Sequence, residues 1–257
     1  MSSKFYQFTL FIGLLIATLM PKDVVSAAQP VDCHRERHAR DQYTVCIVDP
    51  SSTEIRLFLY DGDGRVYGEF EALASDLDVE GTTLLLAVNG GMYHDDRSAV
   101  GLYVEDGQQL SPLNRREAAG NFHMLPNGVF FVGSDGAAQV VASDTYAASG
   151  EKPEYATQSG PMLVIEGAIH PRFIQGSDSR KRRNGVGVRA DGKIVFAISE
   201  RVVTFYDFAT LFRDELGCSN ALFLDGTISR LYAPSIGRRD LCAKMGPIIG
   251  VIAKTEQ

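Results

Sequence analysis

The chain has 257 residues, 45% of them hydrophobic, and a formal net charge of -7. That acidic balance argues against nucleic acid as a partner, because neutralising phosphates takes a surplus of Lys and Arg. The length suits one domain with a substantial core, and no Pro/Ser-rich linker, internal repeat or low-complexity tract divides it.

At the N-terminus, Lys4 is the only charge before an apolar run from Phe8 to Met20. Pro21, Lys22 and Asp23 follow, then Val25-Ser26-Ala27, small where a signal peptidase reads. Basic start, short apolar core and small exit predict a cleaved secretory leader over residues 1–27. The run is shorter than the roughly 20 residues a membrane anchor needs, the alternative use of such a segment. No later stretch is long and apolar enough to span, so no stable membrane insertion is expected after cleavage. Residues 28–257 are therefore expected to be secreted or periplasmic, and slightly more acidic once Lys4, Lys22 and Asp23 are gone. In that oxidising setting Cys33, Cys46, Cys218 and Cys242 are expected to form disulfides. Short loop closure favours Cys33–Cys46 and Cys218–Cys242 among the three pairings. A catalytic thiol is the rival use.

Short β-branched or aromatic runs predict strands over 43–48 and 55–60, with Asp61-Gly62-Asp63-Gly64 as a turn. A short helix follows over 71–78, then strands over 83–88, 100–104, 129–132 and 162–165. Strands over 186–189 and 193–199 flank Ala190-Asp191-Gly192 so closely that a hairpin is predicted. A helix over 204–216 carries Phe205, Phe208, Ala209, Phe212 and Leu216 on one face, a stripe suited to core packing. Thr204 and Asp207 can cap its start and Gly217 its end. Strands over 221–224 and 248–253 complete an α+β class, a β-rich single domain with mixed or antiparallel sheets and few helices.

Four strand ends carry polar, glycine-dense segments that packing alone does not demand. Asn89-Gly90-Gly91-Met92-Tyr93 can let a ligand approach the backbone, with Asn89 offering a donor and an acceptor, or it can be an Asn-Gly hairpin turn. Gln158-Ser159-Gly160-Pro161 precedes a strand. Arg182-Arg183-Asn184-Gly185 does too, and Lys181 extends it into a run of cations with Arg180 just before. A charge run commonly marks a solvated face, but one guanidinium suffices to grip a phosphate with two hydrogen bonds. Leu224-Asp225-Gly226-Thr227 ends an apolar strand in a carboxylate, which can be a general base, a nucleophile, a metal ligand or a turn cap. No nucleophile elbow, HExxH, P-loop or EF-hand pattern is present, and His94, His123 and His170 are scattered without zinc-site spacing.

Taken in order, Asn89-Gly90-Gly91-Met92-Tyr93, Gln158-Ser159-Gly160-Pro161-Met162, Arg183-Asn184-Gly185-Val186-Gly187 and Leu222-Phe223-Leu224-Asp225-Gly226 resemble the phosphodiester glycosidase family. The likeness runs from about Tyr43 to Ala253 and is greatest to the family's small bacterial exported branch. It departs after Gly226, where Thr227-Ile228-Ser229 replaces further glycines, a difference that bears on sugar preference.

The resemblance implies hydrolysis at a sugar-1-phosphodiester, such as an envelope or exopolysaccharide phosphosugar, to a sugar and a phosphomonoester. Arg183 is then expected to hold the phosphate, with Arg97 a second candidate. Asp225 would activate water or attack the anomeric carbon. Asn89, Gln158 and Ser159 would orient hydroxyls with Asn184 nearby, and Gly90, Gly91, Gly160 and Gly226 would permit close approach. A divalent cation such as calcium is left open, with Asp225, Asp95 and Asp96 as oxygen donors of undiagnostic spacing. A non-catalytic binder of phosphosugar polysaccharide and a metal-assisted phosphodiesterase cutting the phosphorus–oxygen bond are the competing readings.

Overall fold

The computed structural model describes residues 1, 29–226, 228–241 and 244–253. All of the expected leader except Met1 lies outside the described residues, as does Cys242. In chain order the first strands are β1 (Val31–His38), β2 (Asp41–Val48), β3 (Thr53–Phe58), β4 (Leu84–Asn89), β5 (Tyr103–Glu105), β6 (Gln108–Ser111), β7 (Gly128–Val132), β8 (Ala138–Ala142) and β9 (Tyr155–Ser159). They continue as β10 (Met162–Ile165), β11 (Ala168–Ile169), β12 (Asn184–Arg189), β13 (Ile194–Ser199), β14 (Cys218–Asp225), β15 (Leu231–Ala233), β16 (Arg238–Arg239) and β17 (Ile248–Ala253). Helices α1 (Phe70–Val79), α2 (Ser143–Ser149) and α3 (Phe205–Thr210) are short.

The strands form three antiparallel sheets, so the β-rich α+β expectation holds. The largest has the order β1-β2-β13-β12-β14-β10-β11, the second β16-β15-β4-β17-β3 and the third β6-β5-β9-β7-β8. Their inner faces share one core. Phe196, Ile198 and Leu222 come to it from the first sheet, Leu57 and Val88 from the second, and Phe130 from the third. The other face of the first sheet is covered too. Val195, Ala197 and Phe223 alternate with the shared-core residues and pack with Phe208 and Phe212. Burial on both faces is why β13 reads Ile-Val-Phe-Ala-Ile, without the polar alternation of a half-exposed strand. α1 closes the second sheet, setting Phe70, Leu73 and Leu77 against Phe58, Leu84 and Ile252.

Several elements depart from expectation for local reasons. The helix predicted over 204–216 is α3 followed by one π-helical stretch, Leu211–Glu215. Thr204 Oγ1 accepts from the Asp207 N–H at 3.0 Å, and Gly217 turns the chain at φ 66°. β1 has the sequence Val-Asp-Cys-His-Arg-Glu-Arg-His, too polar to show a strand period, and is held at the sheet edge by full pairing with β2. In that register Cys33 lies opposite Cys46 and the two are disulfide-bonded. The second expected bridge is corrected: Cys218 is a free, buried thiol. Its Sγ faces the backbone of Gly187 beside Phe212, inside the layer between sheet and helix, and burial pushes the thiol up to about 12.

Candidate active site

The glycine-dense strand ends meet where the three sheets converge. Asn89 ends β4 in the second sheet, Ser159 ends β9 in the third, and Asn184 and Asp225 stand opposite each other in the first. Buried amides must satisfy their hydrogen-bonding capacity locally, and these do. Asn184 Nδ2 donates to Asn89 Oδ1 at 2.7 Å, and Asn89 Nδ2 returns a long bond to Asn184 Oδ1 at 3.4 Å. The backbone N–H groups of Asp225 and Arg230 complete the two acceptors, donating to Asn184 Oδ1 at 3.0 Å and Asn89 Oδ1 at 3.1 Å. Ser159 Oγ donates to the Leu224 carbonyl at 2.7 Å, and Thr157 Oγ1 to that of Gly90 at 2.6 Å. This is a polar seam that fixes the backbone carrying Asp225.

The same geometry reassigns several expected ligand contacts. Gly90 is not in a hairpin turn: its N–H donates to the Pro247 carbonyl at 2.6 Å, and a Cβ there would meet Pro247 and Ile248 backbone at 3.1 Å. Gly160 is pressed on the Phe122 carbonyl and Asn127, and Gly91 uses its freedom at φ 137° beside Thr157. These glycines make room for the protein's own chain. Gln158 is 1% exposed and fully engaged. Its Oε1 accepts from the N–H groups of Leu102 at 3.0 Å and Asn114 at 2.8 Å. Its Nε2 donates to the Asn114 carbonyl at 2.7 Å and Ser143 Oγ at 2.9 Å. Gln158→Met should therefore cost about 3 kcal/mol or more of unfolding free energy, since it strands several buried groups at once. Urea denaturation measures this; an unchanged midpoint would mean the bonds are not holding the 100–115 segment. Arg97 stacks over Tyr93, 5.2 Å from the ring centroid, and does not line the cleft described next.

That cleft, of about 290 Å³, opens beside the seam. Arg183 is its buried member, Asp225, Gly226 and Met92 are half-buried, and Asn121, Lys181 and Arg182 are exposed. Gly226 lets the two arms close up, because a Cβ there would meet the Arg182 carbonyl at 3.2 Å.

Arg183 is the unusual residue. It is 1% exposed, yet it makes no ion pair among the described residues. Nε donates to the Val203 carbonyl at 3.0 Å and Nη2 to that of Ser179 at 3.1 Å, while Nη1 has no partner. The guanidinium lies 3.4 Å from the Phe205 ring centroid, with Phe223 at 5.6 Å. Phe173 stacks on Phe205 and His170 on Phe173, so an aromatic column backs the cation. Its backbone is clamped to Ser199 in both directions, at 2.9 Å each. Burial pushes the guanidinium down to about 10, which leaves it charged at neutral pH. A desolvated, oriented cation without a protein counter-ion is an incomplete pair that an anion would complete.

The residues do not suit a calcium ion. Calcium takes six to eight oxygens, whereas Asp225 is the one carboxylate residue lining the cleft among the described residues. Asp95 and Asp96 do not line it, and Asp96 accepts from Ser98 instead. Among the described residues no three His, Cys, Asp or Glu side chains gather in a metal-ligand cluster. His94, His123 and His170 stay outside the cleft. Lys181 and Arg182, which the sequence leaves between a solvated face and phosphate binding, both line the cleft, whereas no motif singles out Asn121 and the sequence marks Phe205 only as core.

Comparisons with known proteins agree with this architecture. A protein-family model described as phosphodiester glycosidase (NAGPA) matches residues 82–241, more than half of the chain. The uncharacterized protein YigE of Escherichia coli strain K12 is 38% identical over 185 residues, 72% of this chain and 72% of that protein. The catalytic domain of zebrafish N-acetylglucosamine-1-phosphodiester alpha-N-acetylglucosaminidase, auto-inhibited by its pro-peptide, superposes with a TM-score of 0.58 at 15% identity. That match covers 88% of this chain and 82% of the zebrafish one. A hypothetical protein from Synechocystis gives a TM-score of 0.55 at 14% identity, over 86% of this chain and 61% of that one. At such identities the structural matches speak for the fold.

Proposed function

This chain belongs to the phosphodiester glycosidase family, and on that premise we propose that it hydrolyses the glycosidic bond of a sugar-1-phosphodiester, releasing the sugar and a phosphomonoester. The observation that carries the reading is the buried Arg183 guanidinium with its unpartnered Nη1, lining the same cleft as Asp225. Cleaving the bond between the anomeric carbon and oxygen needs an oxocarbenium-like centre stabilised on one side and the departing oxygen on the other. Glycosidases commonly use two carboxyl groups for this, but only Asp225 lines this cleft among the described residues. Arg183 stands in for the second carboxyl group by neutralising the leaving phosphate, which carries charge already and needs little protonation. Asp225 serves the anomeric carbon, by taking a proton from the attacking water or by attacking it directly. The water oxygen ends on the sugar and the bonding electron pair leaves with the phosphate.

The Cys33–Cys46 disulfide supports an oxidising destination, in keeping with a secretory leader. The test is hydrolysis of an N-acetylglucosamine 1-phosphodiester in oxygen-18 water. The label is expected in the sugar. Label in the phosphomonoester would mean phosphorus–oxygen cleavage, and absence of turnover across sugar-1-phosphodiesters would favour a binding protein.

A further inference from the structure

A second recess joins the first across Arg182, which lines both. It is the larger, about 560 Å³, and is walled by Arg35, Thr44, Glu200, Arg238 and Asp240. Strand register gives the distance between them. Asp225 is opposite Asn184, Asn184 opposite Ile198, Ile198 opposite Thr44, and Thr44 opposite Arg35. This row gives the span from the candidate carboxylate to Arg35, four strand spacings or about 19 Å; its middle members, Asn184 and Ile198, are buried and line neither recess, so the surface link between the two is Arg182.

The walls are chemically prepared. Arg238 donates to Glu200 Oε1 at 2.6 Å, Thr44 Oγ1 at 2.9 Å and Asp240 Oδ2 at 3.0 Å. That network holds donors and acceptors at fixed positions, as recognition of hydroxyl groups requires. Arg35 and Arg182 are exposed and make no ion pair among the described residues. With Lys181 and Arg183 they gather four cations at one end of one sheet, in a chain of net charge -7. The groove starts beside the residue assigned to the phosphate, so it leads away from the sugar and along the leaving group.

We propose that this groove seats the aglycone, and that the aglycone is a second sugar bearing its own phosphate, whose charge Arg35 reads. The proposal rests on the phosphodiester glycosidase reading of the adjoining cleft.

Two esters of N-acetylglucosamine 1-phosphate test it, one to methanol and one to the 6-hydroxyl of a hexose 1-phosphate. The wild-type chain should favour the second at least tenfold in kcat/KM, with the preference shrinking as salt rises. Arg35→Ala should lower kcat/KM for the phosphorylated ester about tenfold more than for the methyl ester, the loss of one charge-assisted contact. Equal rates for the two esters, or an equal effect of Arg35→Ala on both, overturn the groove while leaving the cleft reading intact. Calorimetric titration of both esters into Asp225→Asn separates the remaining cases. Binding of the phosphorylated ester that Arg35→Ala weakens, without turnover by the wild type, supports the groove and removes the enzyme. Binding of neither ester overturns both.

Discussion

Arg183→Met is expected to lower kcat/KM for a sugar-1-phosphodiester by about 10³-fold while leaving the fold at least as stable as the wild type. The first half follows from position: one preorganised donor in a dry site contributes about 10²–10³ to turnover, and this one also carries the charge that offsets the departing phosphate. The second half follows from burial. The folded environment holds the guanidinium below its ordinary value, so the proton binds more weakly in the folded chain than in the unfolded one. The charge therefore opposes folding throughout the range below about 10 where both states are protonated. A methionine of similar length keeps contact with the Phe205 ring and removes that penalty. Val203 keeps the Lys181 N–H as a partner for its carbonyl, and Ser179 is exposed to water. Thermal unfolding alongside kinetics checks both halves. Inorganic phosphate should raise the wild-type Tm and leave the variant's unmoved. A variant that is strongly destabilised, or that still turns over, would show that Arg183 is ordinary core.

The strands buried on both faces are legible because their composition has no other use: β13 from Ile194 to Ile198 and the Ala221–Leu224 stretch of β14 are continuously apolar. β1 was not legible, since an edge strand of alternating charges gains its structure from pairing with β2 rather than from its own pattern. Cys218 shows the same limit in another form. Loop length suggested a bridge, while the packing of its Sγ against Gly187 is a tertiary fact. The four polar segments stand out in the sequence as a set, and they meet where the three sheets converge. Their division of labour was hidden, because a buried glutamine bonding four protein groups and one facing a ligand have the same sequence. Arg183 and Asp225 both line the cleft; Asn89 and Ser159 hold the sheets together, and Gln158 holds the 100–115 segment against its own sheet. Phe205 could be read as a core face but not as the plate under a cation.

Asp225→Asn is expected to reduce kcat by about 10³-fold or more with little change in KM. General-base help is worth about 10²–10⁴, and losing it acts on the transition state more than on the bound substrate. The substitution is nearly isosteric, and the seam docks on the backbone of this residue: its N–H donates to Asn184 and its carbonyl accepts from Ser229 at 2.9 Å. Substrate affinity should survive because Arg183 keeps its orientation through Ser199 and Phe205. Single-turnover kinetics with a binding isotherm separates the two parameters, and a variant retaining more than a tenth of wild-type turnover would remove Asp225 from the chemistry. The anomeric configuration of the first-formed sugar, followed by NMR in the wild type, then fixes the role. Inversion assigns Asp225 as the base that activates water; retention assigns it as the nucleophile, since a covalent glycosyl intermediate inverts the centre twice. With Asp225 the one carboxylate lining the cleft among the described residues, retention would also require the water of the second step to give its proton to the phosphomonoester still held on Arg183, because the Asp225 carboxyl is then bonded to the sugar and leaves as the water attacks.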